Sequence, residues 1–271
     1  MPYFIGSQGR IFHDRWLPDG EVRGAVVLLH GYGEHLGLYA PLARRLTAEG
    51  HAVHAMDAVG HGRSEGERAL IASWDYYVDD ARILAALVRQ AHPDSPLVLI
   101  GHSGGAEAAI LLAQRSPEIA QAVVLSGAPI RPLDWVEDVL VSGEAETEAG
   151  DPTEWMSTQP DYVHALLYDP LTWKGGFRRE TLLGAYAALT EIGAGLDQGR
   201  PDVPVLFVHG ESDPVVPVEV ARRSAAQLPR AQIRTFPGDL HDVLNEHDRD
   251  QVHEVVAGFV NEAVALQPVA G

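Results

Sequence analysis

A series of short, continuous apolar runs, most of them separated by segments with helical spacing, constrains the fold of this chain most. The runs cover residues 25–29, 52–56, 97–100, 122–125, 205–208 and 233–236. Strands that are apolar along their whole length are buried on both faces, which is typical of parallel sheets covered by helices on both sides. We therefore predict an α/β fold with a mostly parallel central sheet.

The segments between the runs support this interpretation. Apolar residues recur at helical spacing in several of them, and the last stripe, from Val252 to Ala263, is the clearest. Asp248 and Gln251 offer a cap at the start of this last helix. Near the amino terminus, residues 3–5 and 10–17 alternate weakly around a glycine-containing turn, which predicts a hairpin. Residues 267–271 look like a frayed tail.

The alternation of runs and helices breaks between residues 129 and 200, where no strong strand pattern occurs. We predict that residues 1–128 and 201–271 form the core domain and that residues 129–200 form a mainly helical cap. Three of the five tryptophans fall in the predicted cap. Its apolar residues either line a funnel above the active site or form a small core of the insertion, and we expect some to do each. The expected substrate-binding residues are Trp135, Leu166, Leu167 and Leu183.

Ser103 lies in the string GHSGG at 101–105, between an apolar run and a stretch of small residues. A strand that turns sharply into a helix holds its central residue in a strained conformation, so residues two positions away must be very small. Gly101 and Gly105 meet this demand. The pattern predicts a nucleophilic serine at the turn, with the amide of Gly104 directed at developing negative charge. The alternative interpretation, a helix-capping serine, does not require glycine on both sides.

An acid and a base are expected downstream of such a serine, in loops after later strands. Asp213 follows the run at 205–208, and His241 follows the run at 233–236. We predict that His241 is the general base and that Asp213 orients it. Glu211, Asp239 and Asp242 compete with Asp213, but Asp213 has the most favourable position.

The chain has 13 histidines, so the base has several competitors. His30, His61 and His102 lie in glycine-containing turns and are expected to have architectural roles. His247 and His253 are expected on a helix surface. A metal site is not predicted, because the sequence lacks His-Glu-x-x-His and other recognised ligand spacings.

Composition excludes several classes of function. The formal charge of the 271-residue chain is -18, without a basic run, so nucleic acid is not an expected partner. Cysteine is absent and lysine occurs once, at Lys174, which excludes thiolate sites, a phosphate-binding loop of the Walker type and a Ser-x-x-Lys dyad. The chain shows neither a secretory signal nor an apolar run that could span a bilayer, so we expect a cytoplasmic protein.

With these motifs assembled, the chain resembles the monoacylglycerol lipase and lysophospholipase group of α/β-hydrolases. The similar strings are HGYGEH at 30–35, DAVGHGRSEG at 57–66 and HGESDPVVP at 209–217, and they cover nearly the whole chain in order and approximate spacing. The string YDPL at 168–171, with Gly175, is similar to part of that group's cap. The resemblance implies an α/β-hydrolase fold and hydrolysis of monoacylglycerols or related esters through an acyl-enzyme on Ser103, without a cofactor. It also implies that the amide of Tyr32 is the second oxyanion donor.

One departure from the group concerns Gly104, where methionine is usual. The smaller residue is expected to leave room beside the nucleophile, so acyl-chain preference does not carry over. The alternatives are a short-chain or aryl carboxylesterase, an amidase, peptidase or acyltransferase on the same machinery, and a non-catalytic ligand-binding α/β-hydrolase. The sequence leaves open the oligomeric state and whether the cap touches a membrane surface transiently.

Overall fold

The fold is described from a computed structural model and covers residues 2–266. A sheet of eight strands has the order β1-β2-β4-β3-β5-β6-β7-β8. The strands are β1 (Tyr3–Gly6), β2 (Gly9–Trp16), β3 (Gly24–Leu29), β4 (His51–Met56), β5 (Leu97–His102), β6 (Ala122–Ser126), β7 (Val205–Gly210) and β8 (Ala231–Phe236). The β1–β2 and β2–β4 pairs are antiparallel, and every other neighbouring pair is parallel. The predicted hairpin and the mostly parallel sheet are both present.

Helices connect the parallel strands and cover both faces of the sheet. They are α1 (Ala40–Ala48), α2 (Trp74–Ala91), α3 (Gly104–Arg115), α4 (Asp134–Ser142), α5 (Pro152–Trp155), α6 (Pro160–Tyr168), α7 (Arg179–Leu196), α8 (Val218–Ala225) and α9 (Arg249–Ala265). Short 3-10 helices occupy Leu36–Tyr39, Pro117–Ile119 and Val243–Asn245. Within residues 2–266, no helix is both long and apolar enough to cross a membrane.

Alternating side chains of the central strands enter two separate hydrophobic cores. On β3, Val27 and Leu29 belong to the core that also contains residues of α2 and α3. Val26 and Leu28 belong to the other core, with residues of α1 and α9. Both faces of β3 are therefore buried, because consecutive side chains of a strand point to opposite faces. This two-sided burial explains the continuous apolar run in the sequence.

The chain between β6 and β7 contains α4, α5, α6 and α7 and, among the described residues, no strand longer than an isolated bridge between Glu146 and Arg178. Leu133, Val136 and Leu182 are buried together with Val216 in a third hydrophobic cluster. This segment is thus helical, as the pattern at 129–200 indicates, and part of it packs on the loop after β7.

Two local expectations need correction at the carboxyl-terminal end. His253 is buried in α9, where its Nε2 lies 2.8 Å from the carbonyl oxygen of Leu244, so it is not a surface residue. His247 is exposed but precedes α9. Asp248 is the N-cap of α9, yet its side chain makes no capping hydrogen bond. The tail at 267–271 lies outside the described residues.

Candidate active site

Ser103 lies at the turn between β5 and α3 with φ 49° and ψ -120°, a conformation that non-glycine residues rarely adopt. Its side chain makes no capping hydrogen bond, contrary to the helix-cap interpretation. A Cβ atom at Gly101 would lie 2.3 Å from the carbonyl oxygen of Gly105, and one at Gly105 would lie 2.2 Å from that of Leu29. The two glycines therefore permit the close backbone approach that lifts Ser103 above the sheet.

The structure brings Ser103, His241 and Asp213 together. Nε2 of His241 lies 2.9 Å from Oγ of Ser103, and Nδ1 lies 2.8 Å from Oδ2 of Asp213. The other carboxylate oxygen of Asp213 accepts hydrogen bonds of 2.9 Å from the amides of Val215 and Val216. Because Asp213 accepts the Nδ1 proton, Nε2 is left to accept the hydroxyl proton of Ser103.

The electrostatics of the pair suit this arrangement. Burial by itself raises the pKa of Asp213, but the charge and hydrogen bond of His241, with a further hydrogen bond from His209, hold that pKa well below its ordinary value. Burial by itself lowers the pKa of His241, but the negative charge and hydrogen bond of Asp213 outweigh it, so the pKa of His241 is raised above 6.5. The pair thus favours an ionised carboxylate that stabilises the imidazolium.

Two backbone amides lie beside Ser103. Gly104 is the first residue of α3, and a Cβ atom placed on it would lie 3.8 Å from the amide nitrogen of Tyr32. Within residues 2–266, neither amide donates a hydrogen bond to the protein. Unpaired amides at the start of a helix attract negative charge. The hydroxyl group of Tyr32 makes hydrogen bonds away from Ser103, at 3.0 Å from the carbonyl oxygen of Ala69 and 3.2 Å from that of Gly176.

An aromatic ring takes part of the room expected beside Gly104. A Cβ atom at Gly104 would lie 3.2 Å from Cζ2 of Trp74, whose Nε1 donates a 3.1 Å hydrogen bond to the carbonyl oxygen of Gly104. The indole ring from α2 therefore limits the extra space at Gly104, and a cavity of about 40 Å³ remains beside Ser103 and Gly104. Nothing in the sequence near Ser103 indicates this contact, which joins residues 30 positions apart.

The three competing histidines make hydrogen bonds inside the structure: Nδ1 of His61 lies 2.9 Å from the carbonyl oxygen of Val59, and Nδ1 of His102 lies 3.3 Å from Oγ of Ser126. His30 Nε2 accepts a 2.9 Å hydrogen bond from the amide of Ala58, and burial lowers its pKa to about 3. Burial likewise lowers the pKa of His61 to about 3 and that of His102 to about 4. Neutral, buried imidazoles of this kind pack and accept hydrogen bonds, which agrees with the expected architectural roles.

Two cavities lie near Ser103. The larger has a volume of about 470 Å³ and a largely apolar wall. Most of this wall comes from the chain between β6 and β7, including Trp135, Trp155, Leu166, Leu167, Trp173 and Phe177. The smaller, of about 40 Å³, contains Ser103 and Gly104 in its wall. Tyr32, Trp135, Phe177 and Val215 belong to both walls. Ser103 itself lines the smaller cavity and not the larger one.

Three of the four expected substrate-binding residues line a cavity, and the fourth does not. Trp135, Leu166 and Leu167 line the larger cavity, whereas Leu183 lies on α7 with 49% of its surface exposed and lines neither cavity. Its neighbour Leu182 is buried and lines the smaller cavity. A one-residue shift rotates a helical side chain by about 100°, so choosing between adjacent leucines requires the orientation of the helix.

Glu34 is a site residue for which the sequence suggested no role, although it lies within the string HGYGEH. Its carboxylate accepts hydrogen bonds from the amide of Gly31 at 2.7 Å, from the hydroxyl of Tyr39 at 2.6 Å, and from the hydroxyl of Tyr162. Burial, assisted by the charge of Asp242, raises the pKa of Glu34 to about 8. Since Tyr162 lies on α6, this carboxyl group connects the chain between β6 and β7 to the loop after β3.

Glu34 also forms a group with His102 and Asp242, whose potential ligand atoms lie within 4.8 Å of one another. The oxygens of Asp242 already accept hydrogen bonds from the amide of Leu244 at 3.1 Å and from Nδ2 of Asn245 at 2.8 Å. The group therefore fits a hydrogen-bonded network better than a cation site. The expectation that the protein needs no metal stays a prediction.

A comparison with protein families matches residues 20–248 to the family described as serine aminopeptidase, S33. The chain belongs to this family. It is also similar to a monoacylglycerol lipase of Mycolicibacterium smegmatis, with 33% identity over 95% of each chain. The predicted resemblance to the monoacylglycerol lipase group is thereby confirmed.

Solved structures confirm the α/β-hydrolase fold of this S33 family member. The monoacylglycerol lipase of Paleococcus ferrophilus superposes with a TM-score of 0.79 at 23% identity, covering 93% of this chain and 99% of that one. A soluble variant of monoglyceride lipase from Saccharomyces cerevisiae gives a TM-score of 0.79 at 18% identity, covering 96% of this chain and 94% of that one.

Proposed function

We propose that this protein is a serine carboxylic-ester hydrolase that acts on monoacylglycerols or related lipid esters through an acyl-enzyme on Ser103. The observation that carries the proposal is the continuous hydrogen-bonded chain from Asp213 through His241 to Ser103, with distances of 2.8 and 2.9 Å. This chain ends at a strained serine beside two unpaired amides, which is the arrangement that acyl transfer requires.

Each group has a defined task in this mechanism. Ser103 Oγ attacks the ester carbonyl carbon while His241 Nε2 takes the hydroxyl proton, and the amides of Tyr32 and Gly104 bind the resulting oxyanion. His241 then gives its proton to the leaving alcohol. A water molecule attacks the acyl-enzyme with His241 again as base, which releases the carboxylic acid and restores Ser103. Asp213 keeps the imidazole in one tautomer and stabilises its charged form.

The substrate class rests on two observations. The similar protein of M. smegmatis is a monoacylglycerol lipase, and the larger cavity offers about 470 Å³ of mostly apolar space for an acyl chain. Trp135, Leu166 and Leu167 are proposed to contact that chain. Residues 129–200 are proposed to form the cap, because they supply most of this wall as an insertion between β6 and β7.

Hydrolysis of glycerol and nitrophenyl esters with acyl chains of increasing length tests the proposal, together with fluorophosphonate labelling. We expect labelling at Ser103, repeated turnover and highest rates with long-chain monoacylglycerols. Ser103→Ala should remove both labelling and turnover, while Ser142→Ala, at an exposed serine that ends α4, should change neither. Labelling without turnover would indicate a ligand-binding protein. A steep fall beyond short chains would indicate a short-chain esterase, and cleavage of aminoacyl anilides instead would indicate a peptidase.

The cap is also proposed to touch a lipid surface transiently. Val141 and Tyr168 are 87% and 68% exposed there, and Leu167 and Leu183 are also exposed. Exposed apolar side chains of this size gain free energy when they enter a bilayer interface. Co-sedimentation with phosphatidylcholine vesicles should therefore weaken in a Val141→Ser, Tyr168→Ser variant; unchanged co-sedimentation would contradict the proposed contact.

The absence of a cofactor, the absence of a nucleic-acid partner and a cytoplasmic location remain predictions from the sequence.

A further inference from the structure

Glu107 is a buried acidic residue that the mechanism does not use. It lies one turn into α3, where its amide donates a 3.1 Å hydrogen bond to the carbonyl oxygen of Ser103. Only 4% of its surface is exposed. Within residues 2–266, its carboxyl group has no hydrogen-bond partner, and Oε2 is fully buried. Native proteins pair nearly all such groups, so this unpaired carboxyl group requires an explanation.

Glu107 is one of the residues that line the smaller cavity, together with Ser103. The other polar side-chain groups of this wall are already paired. Trp74 Nε1 donates to the carbonyl oxygen of Gly104 at 3.1 Å, and Thr181 Oγ1 accepts from the amide of Ile71 at 3.1 Å. Besides the amides of Tyr32 and Gly104, the side chain of Glu107 therefore keeps hydrogen-bonding capacity for a molecule that enters the cavity.

The state of the carboxyl group follows from its surroundings. No basic side chain forms an ion pair with it among the described residues, and burial alone raises the pKa of Glu107 well above its ordinary value. A protonated carboxyl group offers one hydrogen-bond donor and an acceptor oxygen. Leu133, Val136 and Leu182 complete an apolar wall in which a bound charge would be poorly solvated. A neutral group that both donates and accepts is thus the best match.

We propose that Glu107 determines specificity by hydrogen-bonding a hydroxyl group of the ester substrate in the small cavity beside Ser103. This proposal rests on the proposed ester hydrolase function and adds a recognition element to it. The cavity of about 40 Å³ is too small for a long acyl chain, for which the larger cavity has space, but it admits a small polar group. An ester that lacks the hydroxyl group leaves the carboxyl unpaired and should be disfavoured.

Two parts of a substrate could carry this hydroxyl group. One is the glycerol portion of a monoacylglycerol, and the other is an acyl chain that is hydroxylated near the ester. Both present the same chemistry to Glu107. Three substrates with the same chain length distinguish them: the glycerol ester, the propyl ester, and the propyl ester of the corresponding hydroxylated acid.

The test compares kcat/KM for these three esters in the wild type and in two variants. Glu107→Leu removes the hydrogen-bonding groups at similar volume, whereas Glu107→Gln keeps a neutral donor and acceptor. We expect Glu107→Leu to lose about tenfold in the preference for a hydroxylated ester over the plain propyl ester. Glu107→Gln should retain most of that preference. Glu107→Leu should also have a melting temperature at least as high as the wild type, because it removes a buried unpaired polar group.

The outcomes separate clearly. Loss of preference for the glycerol ester assigns the hydroxyl to the alcohol, and loss of preference for the hydroxylated acid assigns it to the acyl chain; either supports the proposal. Unchanged preferences in Glu107→Leu, or an equal loss on all three esters with a lower melting temperature, would overturn it while leaving the hydrolase function intact. A wild type that hydrolyses none of the esters would instead overturn the proposed function and this inference with it.

Discussion

The indole of Trp74 donates a hydrogen bond to the carbonyl oxygen of Gly104, and its Cζ2 atom lies 3.2 Å from the position that a Cβ atom at residue 104 would take. The contact holds the first turn of α3 against α2, immediately beside Ser103. A ring from another helix thus fills part of the volume that a side chain at residue 104 would take, and a cavity of about 40 Å³ lined by Ser103 and Gly104 remains. The two positions are therefore expected to depend on each other.

A methionine at residue 104 should collide with this ring. We predict that Gly104→Met lowers kcat/KM for a short nitrophenyl ester at least tenfold by displacing the oxyanion amide, and that it destabilises the protein by about 1–3 kcal/mol. In the double variant Gly104→Met, Trp74→Leu, part of the activity should return. The measurement is a double-mutant cycle for both rate and unfolding free energy. Additive effects would contradict the predicted dependence.

The strained backbone of Ser103 should cost stability that a smaller residue recovers. Since φ is 49° and the side chain caps nothing, Ser103→Gly is expected to raise the free energy of unfolding by about 1 kcal/mol while abolishing turnover. Ser103→Ala should abolish turnover with little change in stability. Denaturant unfolding of the three proteins provides the check. A loss of stability in Ser103→Gly would argue for a structural contribution of the hydroxyl group.

The acidic limb of the pH–rate profile should depend on Asp213. His241 must be neutral to accept a proton, and Asp213 raises the pKa of His241 above 6.5, so kcat/KM should rise with pH through that raised pKa. Asp213→Asn should move this limb to lower pH because the negative charge is lost, and it should reduce kcat by about 10⁴-fold because the imidazole is no longer held in the productive tautomer. Glu211→Gln, in the same loop, serves as the control. An unshifted limb in Asp213→Asn would show that another group sets it.

Glu107 should make stability depend on pH. Burial raises its pKa in the folded state above the ordinary value of 4.5, so between these two pKa values the folded state binds more protons than the unfolded state. Stability should therefore fall as pH rises through this window, by up to about 1.4 kcal/mol per pH unit from this group. In Glu107→Gln this contribution is absent. The difference in unfolding free energy between variant and wild type should grow with pH above 4.5; a constant difference would refute the prediction.

Tyr32 is expected to act through its amide and not through its hydroxyl group. The hydroxyl lies near the carbonyl oxygens of Ala69 and Gly176, away from Ser103. Tyr32→Phe should therefore keep kcat for a nitrophenyl ester within about threefold of the wild type, while the lost hydrogen bond costs about 1 kcal/mol of stability. Stopped assays with a saturating ester measure kcat, and thermal unfolding measures the change in stability. A loss of kcat near a hundredfold would place the hydroxyl group in the reaction instead.

The sequence by itself determined the sheet, the strained serine and the order of the three triad candidates. These features are local or periodic. Continuous apolar runs indicate burial on two faces, and the glycines around Ser103 indicate close backbone contacts. Because the carboxyl ends of parallel strands lie at one edge, the chain order of Asp213 and His241 was enough to predict that they meet.

Only the tertiary structure decided which side chains surround that serine. Trp74 packs against Gly104 from another helix, Leu182 rather than Leu183 lines the small cavity, and the Glu107 carboxyl group is buried with no hydrogen-bond partner among residues 2–266. His253, similarly, is buried although its position in the sequence suggested a helix surface. Each of these outcomes depends on the rotation of a helix against its neighbours. That rotation is fixed by packing between residues far apart in the chain, which no short stretch of sequence records.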